Sequence, residues 1–269
     1  MLSMVREREF MRVADLSSIF GISEVTVRAD LALLADHGAL QRVHGGAIVR
    51  DPELRLERSF EEALGENSTE KAGIGRHAAA TVRSGETVIL DVGTSTTAVA
   101  RALVAREDLS DVTVFTSSLP IALELESAIP RITVVVTGGT LRPKQHSLVD
   151  PMAGFIFDSI NASTAFIGCN GVHPESGVTN VNLPEAEMKR KMVAAAQRTV
   201  IVADGSKLGN ISVAKIADLS DIDQLITGPS APPEVVDELA SLGVAVEIAE
   251  PDTRATAGAR LRRTTEENV

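Results

Sequence analysis

The chain has no tryptophan and no tyrosine, only seven phenylalanines in 269 residues, and a single cysteine. Without large aromatics, the core must be assembled from Ala, Val, Leu and Ile, side chains that suit helices packed on a parallel sheet. Cys169 alone excludes an intramolecular disulfide and any cysteine-clustered zinc site. The five histidines (His37, His44, His77, His146 and His173) lack metal-ligand spacing, so no metal and no cofactor is expected. No apolar run approaches the roughly 18–20 residues a membrane span needs. The opening "MLSMVREREF" is charged early, unlike a signal peptide. The expectation is a cytoplasmic protein without membrane contact.

Lysine is also missing from residues 1–50. Six Arg stand there against six Asp and Glu, so residues 51–269 carry the whole net charge of −11. That balance argues against indiscriminate coating of nucleic acid, yet it leaves room for DNA contact by a neutral head alone.

The head reads as helical. "VADLSSIF" places Val13, Leu16, Ile19 and Phe20 at helical spacing. After a "GI" turn, "SEVTVRADLALLADHG" opens with Ser23 as N-cap, runs apolar at Val27, Leu31 and Leu34, and stops at Gly38. Two helices joined by a glycine-containing turn suggest a helix-turn-helix. "ALQRVHGGAIV" then offers two β-prone pieces, and the whole of residues 1–50 reads as a winged helix-turn-helix that binds double-stranded DNA. Ser23, Glu24, Thr26 and Arg28 on the second helix are of types that reach bases and phosphates, with Arg42 and His44 on the wing. The plainer reading is that short helices of this kind form only a packing module.

Residues 51–70 are charged and read as a linker, and residues 252–269 as a disordered tail. Between them, residues 71–251 alternate helical and β-rich stretches, which implies an α/β domain: a mostly parallel sheet covered by helices.

Ligands of such sheets gather at the carboxyl ends of the strands. Those ends read "DVGTSTT" (91–97), "TSS" (116–118), "TGGT" (137–140), "GCNG" (168–171) and "DGSKLG" (204–209). Each alone is ordinary turn chemistry, since Gly, Ser, Thr and Asp cap helices everywhere. Together they make a polyanion cradle: glycines admit a phosphate to the backbone N–H groups, and a helix N-terminus and Lys207 supply positive charge. "DVGTSTT" lacks the Gly-Lys-Ser/Thr ending of a P-loop, so a small phosphorylated metabolite fits better than a nucleoside triphosphate. The candidates are Asp91, Gly93, Thr94, Ser95, Thr96, Thr97, Thr116, Ser117, Gly138, Gly139, Asn170, Asp204 and Lys207.

The stretch "VADLSSIFGISEVTVRADLALLADHGALQRVHGGA" resembles the DNA-binding head of the DeoR family of bacterial transcriptional regulators, above all in the runs Thr26–Leu31 and Arg42–Ala47. The body is similar to that family's sensor domain in "EKAGIGRHAA", "ILDVGTSTT", "TGGTL", "AFIGCNGV", "GVTNVNLPEAEMKRKM" and "IVADGSKLG". The resemblance implies a body with an isomerase- or CoA-transferase-like fold that senses a phosphorylated sugar. It places Ser23, Thr26 and Arg28 on the operator, Asp91 and Gly93 to Thr97 around the phosphate, and Gly138, Gly139, Asp204 and Lys207 around the sugar. The chain departs from the usual family text at Ala29, Ser117, Asp150 and Gly228, and the first helix starts a few residues short.

An isomerase acting on the same ligand class would need a carboxylate base beside the reacting carbons. Isomerases of the implied fold carry an acidic run after the strand that here reads "FIGCNGV". Residues 168–172 are Gly-Cys-Asn-Gly-Val, and Glu175 and Glu185 lie outside the slot. The sequence therefore points to a sensor that regulates transcription, a repressor by family analogy, acting as a homodimer or homotetramer and not as an enzyme.

Overall fold

The computed structural model describes residues 10–36, 41–43, 46–48 and 58–252. They fall into two compact units, one ending at Glu57 and the other starting at Arg58.

In the first unit, β1 (Phe10–Arg12) runs straight into α1 (Val13–Phe20). Gly21 closes α1 in the left-handed region at φ 64°, where a glycine has no Cβ to clash. α2 (Glu24–Asp36) starts where the sequence places it, with the Ser23 hydroxyl accepting from the Thr26 N–H at 3.1 Å. Met11, Val13, Leu16, Val27 and Leu31 form the small core. β2 (Gln41–Val43) and β3 (Gly46–Ile48) pair antiparallel as the wing. β1 pairs with β3, a strand the sequence reading lacks because three residues are too few to show a period. Gly38 and His44 lie outside the described residues.

The second unit is built on seven parallel strands: β4 (Thr87–Leu90), β5 (Val112–Thr116), β6 (Ile132–Val136), β9 (Thr164–Ile167), β12 (Thr199–Val202), β14 (Gln224–Thr227) and β15 (Ala245–Ile248). Their order in the sheet is β15-β14-β12-β9-β4-β5-β6, every neighbouring pair parallel. Side chains alternate between two buried faces. Val88, Leu90, Phe166, Val200 and Val202 pack under α4 (Ser68–Ala80), α5 (Thr94–Val104) and α6 (Leu119–Leu125) through Ile74, Val99 and Ile121. Ile89, Ala165, Ile167, Ile201 and Leu225 face α7 (Leu183–Ala194) and α8 (Pro233–Ser241) through Met188, Met192 and Leu239. Burial on both faces explains why the inner strands read as continuous apolar runs.

Two features depart from the sequence reading. A hairpin of β7 (Thr140–Arg142) and β8 (Ser147–Val149) and an antiparallel sheet of β10 (Gly171–His173), β11 (Gly177–Asn180) and β13 (Ala214–Ala217) have too little apolar pattern to be seen in advance. The stretch read as linker, 51–70, is partly folded. α3 (Phe60–Leu64) is opened by a capping box in which Ser59 Oγ accepts from Glu62 N at 3.2 Å and Ser59 N donates to the Glu62 carboxylate at 2.8 Å. Phe60 is buried, and α4 follows from Ser68. Of the stretch read as tail, Asp252 is placed, its N–H donating to Thr69 O at 3.0 Å; residues 253–269, like 51–57, lie outside the described residues.

Candidate functional site

The chain lays down β4, then β5 and β6 to one side, and returns to add β9, β12, β14 and β15 on the other. The sheet order therefore reverses between β4 and β9, and the crevice outside their carboxyl ends is where a ligand of an open α/β sheet sits. "DVGTSTT" follows β4 and "GCNG" follows β9, so the reversal point brings the two sequence candidates side by side.

Gly93 precedes α5 at φ 142°, a conformation closed to other residues without strain. Thr97 N donates to Gly93 O at 3.0 Å, while the N–H groups of Thr94, Ser95 and Thr96 find no partner among the described residues. The four hydroxyls of this loop are not equivalent. Thr96 Oγ1 and Thr97 Oγ1 donate back to Gly93 O at 2.9 and 2.7 Å, which stiffens the turn. Thr94 and Ser95 make no such return bond among the described residues.

Asp91 points into the protein rather than out of it. Its Oδ2 accepts from Gly168 N at 3.0 Å and is ion-paired with Lys189, whose Nζ also donates to Gly168 O at 3.0 Å. Asp91 Oδ1 has no partner among the described residues. Burial raises the Asp91 carboxyl above its ordinary value, opposed by the Lys189 charge. Burial likewise pushes the neighbouring Cys169 thiol up to about 12. Asn170 Oδ1 accepts from Val181 N at 3.1 Å, tying the loop after β9 to the end of β11.

Asp204 follows β12 and caps the short turn Gly205–Lys207, its Oδ1 accepting from Ser206 N at 3.2 Å and from Asn67 Nδ2 at 2.9 Å. Burial opposes its ionisation, but the Ser206 hydroxyl and the Lys207 and Lys71 charges outweigh that and hold the carboxyl below its ordinary value. Lys207 is half-buried beside it. Buried Thr116 accepts from Ser118 N at 3.1 Å, and Ser117 O accepts from Leu148 N at 2.8 Å, so the end of β5 is fastened to the β7–β8 hairpin. Gly138 and Gly139, after β6, both have positive φ and are exposed. A Cβ on Gly139 would come within 2.6 Å of Val149 O.

Sequence reasoning missed three buried charges at this edge: Glu70, Lys71 and Lys189. Glu70 accepts from Gly205 N at 3.0 Å and from the Ser230 hydroxyl at 2.8 Å. A Cβ on Gly228 would fall 2.1 Å from its side chain, so with Glu70 in place position 228 has no room for a larger residue. A signal for Lys189 was available: Glu185 and Lys189 are four apart and share one helix face. That face is buried, with Glu185 accepting from Ser147 Oγ at 2.7 Å and paired with Arg142.

On the head, Ser23, Glu24, Thr26 and Arg28 are exposed. Ser23 and Thr26 spend their hydroxyls on one another at 2.9 Å, and the Arg28 guanidinium donates to Glu24 Oε2 at 2.6 Å. Val25, 73% exposed, shares their helix and was not singled out from the sequence. Arg42 belongs to β2.

The family model of the DeoR C-terminal sensor domain matches residues 66–229, and that of the DeoR-like helix-turn-helix domain matches residues 1–53. The chain belongs to the DeoR family. It is 35% identical to the HTH-type transcriptional regulator GlpR of Haloferax volcanii, over 91% of this chain and 94% of that protein. It is 32% identical to a putative aga operon transcriptional repressor of Escherichia coli O157:H7, over 90% and 89%. Among solved structures, ribose 5-phosphate isomerase A of Methanocaldococcus jannaschii overlaps 53% of this chain and 55% of its own, with TM-score 0.40 and 18% identity. This DeoR-family protein is a DNA-binding transcriptional regulator, not an enzyme.

Proposed function

We propose that this regulator represses an operon of carbohydrate metabolism in the cytoplasm, binding duplex operator DNA as a homo-oligomer and changing its affinity when a phosphorylated sugar occupies the crevice between β4 and β9. The observation that carries the proposal is the start of α5: three N–H groups behind Gly93 without a partner among the described residues, at the point of strand reversal, with Lys207 on the same edge. Thr94 and Ser95, whose hydroxyls are not turned back, complete the phosphate contacts. Asp204, Gly138 and Gly139 border the remainder of the ligand.

The same edge argues against turnover. Glu185 and Asp204 accept from neighbouring protein groups, and Asp91 is buried against Lys189. Proton transfer between adjacent carbons needs a placed base, and these carboxylates are engaged elsewhere.

On the head, Arg28 and Val25 reach base edges and Arg42 and His44 the backbone. One head covers too little DNA to hold a site tightly, hence the oligomer. The name of the aga operon relative supports the repressor reading. The test is a melting-temperature screen of aldose and ketose phosphates. A ligand at about 100 times its dissociation constant adds roughly 2.7 kcal/mol. The shift should vanish when Lys207 is changed to Ala. Equal shifts from unphosphorylated sugars would refute the phosphate cradle.

A further inference from the structure

We infer that Lys71 transmits occupancy of the strand-end crevice to the segment that joins the sensor to the DNA-binding head, because one ammonium is shared between Asp204 and the main-chain carbonyl of Ala63. The inference rests on the effector site proposed above and adds the means by which that site is read.

Lys71 lies in the first turn of α4. α4 precedes β4 and α5 follows it, each joined to the strand by a short turn, so both helices run opposite to the strand and bring their N-termini to its carboxyl end. They pack without a side chain between them at Gly75, where a Cβ would lie 2.4 Å from the Ala98 carbonyl carbon. One turn earlier on each helix stand Lys71 and Thr94, so Lys71 is level with the start of the phosphate loop.

The Lys71 ammonium is buried, donates to Ala63 O at 2.8 Å and lies 3.9 Å from Asp204 Oδ2. An ammonium has three protons to donate, and the bond to Ala63 O is its one hydrogen bond among the described residues. It is desolvated: burial lowers its tendency to hold the proton, opposed by the Asp204 charge. A phosphate beside Lys207 and the Thr94 N–H meets this second cation where charges are weakly screened and attraction is strong. The ammonium turns toward the anion and relaxes its hold on Ala63.

Ala63 is the penultimate residue of α3, and α3 starts two residues after Arg58, where the sensor unit begins. The other polar ties of α3 among the described residues come from the β7–β8 turn: Phe60 N donates to Lys144 O at 2.9 Å and His146 Nε2 lies 2.6 Å from Glu61 Oε1; α3 also packs on α5. That hairpin is held through Arg142 and Ser147 to Glu185, one turn from Lys189 and hence from Asp91. Both sets of polar contacts on α3 lead back to the crevice. Lys71 is the direct polar link.

Hydrogen–deuterium exchange of the full chain tests this, read at amides 93–97 and 59–66, with inorganic phosphate and with a panel of aldose and ketose phosphates. A probe that protects 93–97 should speed exchange at 59–66 several-fold. In Lys71→Met, exchange at 59–66 should be fast without any probe and unresponsive to it, while 93–97 is still protected at higher probe concentration. Lys71→Arg, which keeps a cationic donor, should recover part of the response. Protection of 93–97 with unchanged exchange at 59–66 in the natural chain overturns the inference and leaves the effector site standing. No protection of 93–97 by any probe removes the site and the inference together. Should Lys71→Met fail to fold, Lys71→Arg decides: a response at 59–66 identical to that of the natural chain, with the shorter ammonium geometry lost, would overturn the role of Lys71.

Discussion

Lys189 and Asp91 form an ion pair inside the sheet's carboxyl edge, and Lys189 Nζ also holds Gly168 O at 3.0 Å, so one buried ammonium joins the ends of β4 and β9. These are the two strands between which the sheet order reverses. The pair neutralises a buried carboxylate at the strand reversal, and in the proposed site it would lie beneath the phosphate.

Replacing Lys189 by Met leaves Asp91 buried without its cation, which should cost about 3–5 kcal/mol. Burial already raises the Asp91 carboxyl. A carboxyl raised on folding binds its proton more readily in the native state than in the unfolded one. Stability is therefore lost as pH climbs from the unfolded value through the native one. Without Lys189 that window extends upward. Urea unfolding should show the deficit of the variant shrinking between about pH 8 and about pH 5. A deficit of constant size would show that the Asp91 charge is not its source.

Cys169 should be inert. Its thiol is pushed up to about 12 by burial, and the thiolate is the nucleophile. Alkylation by iodoacetamide in the folded protein should run on the order of 10³-fold slower than for a free cysteine near pH 8. Cys169 is half-buried, so alkylation at the rate of a model thiol would mean that its surroundings do not hold the thiol protonated.

Arg28 is held by Glu24 on the exposed face of α2. Arg28→Ala should weaken operator binding by about 1–3 kcal/mol if the guanidinium reads a base edge. Glu24→Gln should release it and tighten non-specific binding, with a steeper dependence on salt. Electrophoretic titrations over a salt series measure both, and identical behaviour of Arg28→Ala and the natural chain would take Arg28 off the DNA.

Gly75→Ala should push α4 away from α5, because the added Cβ would meet the Ala98 carbonyl at 2.4 Å. Overpacking of this kind costs about 1–3 kcal/mol, visible by calorimetry as a lower melting temperature. Since Lys71 shares that helix, the variant should also show a weaker exchange response at 59–66 to any probe that protects 93–97. An unchanged melting temperature would mean that the helices part freely.

The parallel sheet and its covering helices were legible because the inner strands are buried on both faces and read as short apolar runs between turn residues, as in "TVIL" and "TVIV". Ser23 announced α2 because an N-cap is a local hydrogen bond, complete within four residues. The β7–β8 hairpin and β10, β11 and β13 were not legible. Their partners are distant or their strands too short for a period, and Ser59 and Glu62 were overlooked as a capping box amid the charges of 51–70.

Composition and local pattern by themselves determined an α/β domain behind a winged head, and which loops would stand at the sheet's carboxyl edge; the resemblance to the DeoR family made that domain a sensor. Both are properties of residues near one another in the chain, where periodicity and capping act. Tertiary structure alone decided how that edge is wired. Asp91 is separated from Lys189 by 98 residues, Asn67 from Asp204 by 137 and Glu70 from Ser230 by 160. A charge is tolerated in a core only with a partner beside it, and the partner can come from any point in the chain that the sheet order brings near. Strand order is set by how the helices cover the whole sheet, so no local stretch of sequence encodes which distant residue will meet a buried lysine.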